Sequence, residues 1–137
     1  MELILQNRPE EKQRLLSALE EFSQEHHLPP AVAQAADLAL EEHVTNVMAY
    51  TYEDAAPHEI RIRLGVEHEC LLIEVEDDGR AYDPLARPPV DTSLPLEEKP
   101  IGGLGVHLIR SLMDQVEYRR EGERNILRMK KKISAGC

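Results

Sequence analysis

Between residues 59 and 77 the chain alternates apolar and polar side chains so regularly that few structures can hold it. Ile60, Ile62, Leu64 and Val66 alternate with Glu59, Arg61 and Arg63, and after a turn at Gly65 to Glu69 the run Leu71, Ile73 and Val75 alternates with Leu72, Glu74 and Glu76. A period of two sends successive side chains to opposite faces of a strand, so each run has one apolar and one charged face. Two such runs joined by a short turn predict an antiparallel hairpin in which Arg and Glu face each other across the strands. The apolar face then requires a cover, and a layer of helices supplies one.

The flanking sequence provides those helices. Glu2 to Gln6 alternates around Leu3 and Leu5 and reads as a short strand closed by Asn7. Pro9 opens a helix from Glu10 to about His26, whose Leu15, Leu19 and Phe22 form one apolar stripe, and Pro29 and Pro30 end it. A second, alanine-rich helix starts at Pro30 and runs through Val32, Ala36, Ala39, Leu40, Val44 and Val47 toward Tyr50. Residues 83–101 are proline-rich and too irregular for a regular element, and loops of that length are usually functional or mobile. Beyond them come a helix carrying Val106, Ile109 and Leu112 and a second hairpin, Val116 to Arg120 and Asn125 to Lys130, turned at Glu121 to Glu123. The order predicts an α+β fold, helices on one face of a mainly antiparallel sheet, formed by a single domain over residues 1–137.

Charge and composition narrow the function classes. A formal charge of -10, with no basic face interleaved with aromatics, argues against a nucleic-acid surface, which needs clustered Lys and Arg. The basic run Lys130 to Lys132 reads as an edge strand kept soluble by lysines. Cys70 falls in a buried strand and Cys137 is the last residue, so the expectation is two reduced thiols and a cytoplasmic location. No window is apolar for long enough to cross a bilayer, so no membrane association is expected.

Three segments carry chemistry. In EEHVTN, Glu42 and Asn46 lie four residues apart on a helix and so project from one face, where an amide oxygen can ligate magnesium and a carboxylate can polarise a hydroxyl. The same spacing is commonplace on exposed helices, and His43 between them adds little. In EVEDDGRAYDP the alternation places Asp77 on the core side at the end of its strand, where a buried carboxylate could accept a hydrogen bond from a purine amine, with Gly79 permitting close approach. The segment reads equally well as a strand ending in an Asp-Gly turn. In IGGLGVHLIRSL a glycine cluster enters a helix and can aim backbone amides at phosphate, although a tight helix-entry turn accounts for it as well. It is neither a Walker loop nor a full dinucleotide fingerprint.

In this order, with a hairpin and a proline-rich loop between them, the three segments resemble the N, G1 and G2 boxes of the histidine-kinase-like ATPases. TNVMAYTY and GGLGVHLIRSLMDQVEY are most similar to the anti-sigma-factor serine kinases of that superfamily. The resemblance implies a Bergerat-type two-layer sandwich with ATP between sheet and lid, the lid spanning about 84–101. It implies that Asn46 holds Mg2+ against the phosphates and that Glu42 is the base for an attacking serine hydroxyl or water. Asp77, Gly79 and Tyr82 would then line the adenine site, and Gly102, Gly103, Leu104 and Gly105 the triphosphate. The implied reaction moves the ATP γ-phosphate to a serine of an anti-anti-sigma partner of the STAS type. The implied assembly is a homodimer that also binds a sigma factor.

Family kinases often carry a basic residue shortly before the second glycine box, where Ile101 and Gly102 stand here. That departure keeps a second reading open, a nucleotide-dependent binding module that performs no chemistry. A detached catalytic domain of a two-component kinase is disfavoured, because His26 and His27 close a helix rather than occupy the middle of a dimerising hairpin.

Overall fold

A computed structural model of the chain describes residues 1–52, 54, 56–86 and 103–137. Strands β1 (Glu2–Gln6), β2 (Glu59–Glu67), β3 (Cys70–Asp77), β4 (Gln115–Glu121) and β5 (Arg124–Lys132) form one five-stranded sheet in the order β1-β2-β3-β5-β4. Every pairing is antiparallel. Helices α1 (Lys12–Glu25), α2 (Pro30–Tyr50) and α3 (Gly103–Leu112) complete the architecture, α1 being preceded by a 3-10 turn at Pro9–Glu11. A second 3-10 turn, Pro84–Ala86, occupies the start of the expected lid, and the rest of that lid lies outside the described residues.

The core is the predicted one. Leu15, Leu19 and Phe22 of α1 and Val32, Ala36, Ala39, Leu40, Val44 and Val47 of α2 are buried against Ile60, Ile62 and Leu64 of β2 and Leu71, Ile73 and Val75 of β3. Full burial of each large aliphatic side chain contributes about 1.5–3 kcal/mol. Val66 departs from its strand's pattern and is 39% exposed, because it pairs with Leu71 beside the hairpin turn at the end of the sheet. That turn is His68-Glu69, with φ of 51° and 61°, and such left-handed angles at both central residues suit the twist of a two-residue hairpin.

The opposite face of the sheet is polar. Arg63 pairs with Glu74 at 2.8 Å and with Glu2 at 3.1 Å, and Arg128 pairs with Glu74 at 3.0 Å, a charged row crossing four strands. Each of these exposed pairs adds little stability, but together they keep the uncovered face soluble.

Two expectations are corrected. Lys130 to Lys132 do not form an edge strand: β5 inserts between β3 and β4, and the exposed edges are β1 and β4. Cys70 and Cys137 are joined in a disulfide instead of being reduced thiols. The last residues turn back across the sheet, Ile133 N–H donating to Glu69 O at 3.0 Å and Cys137 N–H to Ser134 O at 3.1 Å, so the C-terminal cysteine reaches the start of β3.

Candidate nucleotide site

Asp77 ends β3 facing inward, only 2% exposed. Its Oδ1 accepts the Gly79 N–H at 2.9 Å, so the Asp-Gly turn is real. It also accepts the Asn125 Nδ2–H at 2.9 Å, from the residue opposite it on β5. Among the described residues, both hydrogen bonds to this carboxylate fall on Oδ1. Burial pushes the Asp77 carboxyl above the usual carboxylate range, the bonds from Asn125 and Gly79 pull it back, and the charges of Asp78 and Arg120 push in opposite directions. Turn and inward acid therefore coexist, with Oδ1 capping the turn.

The segment after Asp77 is fastened on two sides. Toward α2, Arg80 N–H donates to Thr51 O at 2.8 Å and Arg80 Nε–H to Tyr50 O at 2.8 Å, while the rings of Tyr50 and Tyr82 stack with centroids 6.4 Å apart. A Cβ on Gly79 would stand 2.5 Å from Thr51 Cβ and 2.7 Å from Thr51 O, so this glycine allows the loop to lie against the end of α2. Its close approach is to the protein's own helix, a finer reason than the nearness to a base that the sequence suggested. Toward β4 and β5, Arg120 Nη1–H donates to Gly79 O at 2.8 Å, Asn125 Nδ2–H to Arg80 O at 2.8 Å, and Tyr82 N–H to Asn125 Oδ1 at 3.2 Å.

Asn46 lies on α2 five residues before Thr51, about 7.5 Å along the helix axis. It is 4% exposed, and its Nδ2–H lies 3.5 Å from Glu42 Oε1, which confirms that the two side chains share a face. With its N–H directed at Glu42, the amide oxygen is the group left for a hard cation such as Mg2+, which takes oxygen ligands and keeps phosphate oxygens and waters around it. Among the described residues no three His, Cys, Asp or Glu cluster as a metal cage. His43, between them in sequence, is 3% exposed with Nδ1 unbonded, and burial pushes it down to about 4, so it is a neutral packing residue at ordinary pH.

Gly103, Leu104 and Gly105 form the first turn of α3, which packs on α2, and Arg110 Nη2–H donates to Leu85 O at 2.8 Å, tying α3 to the segment that follows Tyr82. The segment after Asp77 thus meets the end of α2, and α3 packs on the same helix. Gly102 and the proline-rich lid lie outside the described residues. Two open cavities lie elsewhere: one of about 500 Å³ on the charged sheet face around Gly65 and Leu72, and one of about 580 Å³ between α1 and α2. Asn125, Tyr118 and Arg120 were not singled out from sequence. The signal that could have found Asn125 was its register, since the second hairpin brings its first residues opposite the end of β3.

An antiparallel sheet covered on one face by helices, with an inward acid and a glycine-led helix at one end, defines the fold class of the histidine kinase ATPase domains. A blue-light-activated histidine kinase domain from Erythrobacter litoralis EL346 superposes with a TM-score of 0.57 at 20% identity, covering 89% of this chain and 59% of that one. The histidine kinase AdeS of Acinetobacter baumannii superposes with a TM-score of 0.50 at 15% identity, over 98% of this chain and 68% of that one. At the level of sequence, residues 5–131 match the histidine kinase-like ATPase domain family, and the chain belongs to that family. It is 34% identical over 97 residues to proteins named serine-protein kinase RsbW from Bacillus cereus and Bacillus thuringiensis subsp. konkukian. The aligned stretch covers 68% of this chain and 60% of each of those proteins, so the chain matches less than two thirds of its relatives' length.

Proposed function

We propose that the chain is an ATP-dependent protein-serine kinase and anti-sigma factor that transfers the ATP γ-phosphate to a serine of an anti-anti-sigma partner of the STAS type. The observation that carries this reading is Asp77, a buried carboxylate fixed at the junction of β3, β5 and the end of α2, where it can accept the exocyclic amine of adenine. The similarity to serine-protein kinases supplies the direction of the chemistry.

In this reading Gly79 and Tyr82 border the base, Asn46 offers its amide oxygen to a Mg2+ held by the phosphates, and the amides opening α3 at Gly103 to Gly105, with Gly102 before them, meet the triphosphate. Glu42 takes the proton of the serine hydroxyl as its oxygen bonds to the γ-phosphorus, and the bond to the β,γ-bridging oxygen breaks with its electrons leaving on ADP. Little covalent work falls to the protein beyond positioning and charge neutralisation. The further elements of the reading are a homodimer, a sigma factor as second partner, and a cytoplasmic location where ATP is available. No helix among the described residues is long and apolar enough to cross a membrane.

The test is phosphoryl transfer from γ-labelled ATP to a serine-bearing STAS protein. Label on the partner with wild type, lost by about 100-fold or more in Glu42→Ala, supports the kinase. Nucleotide binding with no transfer, identical in Glu42→Ala, replaces the kinase with a binding module that sequesters its partner.

A further inference from the structure

We propose that Asn125 is the positioning residue for base selection: it holds Asp77 as a fixed hydrogen-bond acceptor, Oδ1 occupied and Oδ2 left for the purine amine, and with Arg120 it clamps the 79–82 segment that borders the base. The proposal rests on the nucleotide reading given above and assigns that site a residue outside the three boxes.

Asn125 is 4% exposed and sits directly across the β3–β5 ladder from Asp77. Its two N–H donors go to Asp77 Oδ1 at 2.9 Å and Arg80 O at 2.8 Å. Its Oδ1 accepts Tyr82 N–H at 3.2 Å, Tyr118 O–H at 2.5 Å and Arg120 Nη1–H at 3.1 Å. A flipped amide would set its oxygen against a carboxylate and a carbonyl and its N–H groups against the Tyr82 N–H and the Arg120 guanidinium, so the network allows one orientation. Arg120 Nη1 also holds Gly79 O at 2.8 Å, which closes the ring of bonds around residues 77–82.

This arrangement has a consequence for which base is accepted. An N–H can donate only to an acceptor oxygen, so Asn125 favours the ionised form of Asp77 against the burial and the Asp78 charge that oppose it. An ionised Asp77 accepts from adenine's C6 amine and repels guanine's C6 carbonyl. A protonated Asp77 would donate to that carbonyl and lose the distinction. The other groups facing Asp77 are Arg120, Tyr118 and Tyr52, and of these only Arg120 carries a charge near neutral pH.

The experiment is calorimetric titration of the full chain with ATP and with GTP in Mg2+, between pH 5.5 and 8, for wild type, Asn125→Ala and Arg120→Ala, with thermal unfolding as the fold check. Wild type is expected to prefer ATP throughout. Asn125→Ala is expected to lose about tenfold in ATP affinity, the size of one buried hydrogen bond left unmade, with an ATP/GTP ratio that collapses further toward pH 5.5. Arg120 is solvent-exposed, so Arg120→Ala should fold, and it is expected to weaken ATP severalfold. If folded variants keep the wild-type affinity, ratio and pH profile, the positioning role is overturned. Should Asn125→Ala not fold, Arg120→Ala alone decides on the same terms. A wild-type chain that binds neither nucleotide overturns the nucleotide reading itself, and this proposal with it.

Discussion

Gly79 lies so close to Thr51 that an added Cβ would stand 2.5 Å from the threonine's Cβ and Oγ1. Thr51 cannot turn aside freely, since its Oγ1–H already donates to Val47 O at 2.7 Å and its own carbonyl holds Arg80 N–H. Gly79→Ala must therefore push the loop away from α2. The expected outcome is a loss of about 1–3 kcal/mol of stability in denaturant unfolding, together with weaker nucleotide binding. Thr51→Ala in the same background should recover part of the stability, and Thr51→Gly more of it.

Two histidines are expected to titrate on opposite sides of the ordinary value of 6.5. His43, buried without a partner for Nδ1, is pushed down to about 4. Because its folded-state value is depressed, the unfolded chain binds the extra proton first, and stability falls as pH drops from about 6.5 toward 4, by on the order of 3 kcal/mol in all. His43→Leu should flatten that acid limb. His58 is raised, chiefly by its bond to Asp54 at 2.7 Å, with Asp78 adding to it, and its contribution is present below 6.5 and lost as pH rises through its higher folded value. Proton NMR of the imidazoles checks both directions in one titration.

The disulfide closes a loop spanning a sequence separation of 67 between Cys70 and Cys137. Cross-linking over such a distance restricts the unfolded chain, and its removal is expected to cost about 2–4 kcal/mol. Reduction with dithiothreitol and the Cys70→Ser variant should lower the unfolding midpoint to the same extent, with no further effect of reductant on the variant.

The sequence shows the elements more clearly than their arrangement. Alternation located β2 and β3 because each strand has one buried face, and Pro30 marked the start of α2 because proline suits a first helical turn. Asp77's inward aspect followed from the same parity. Alternation carries no information on strand order, so the insertion of β5 between β3 and β4 was invisible, and Lys130 to Lys132 read as an edge. The Cys70–Cys137 link was hidden for a related reason: it depends on the chain folding back after Ile133, which no local pattern announces. Asn125 was hidden because an asparagine after a Gly-Glu-Arg turn looks like part of the turn, and its role appears only once Asp77 stands opposite it.

The central claim is that Asp77 and Asn46 act on one nucleotide, the first at its base and the second through magnesium at its phosphates. The most direct measurement is calorimetry of ATP binding, with and without Mg2+, to wild type, Asp77→Ala and Asn46→Ala. Asp77→Ala is predicted to lose at least about tenfold in affinity under both conditions, whereas Asn46→Ala loses it only when Mg2+ is present. Wild-type affinity in both folded variants, with and without the metal, would contradict it.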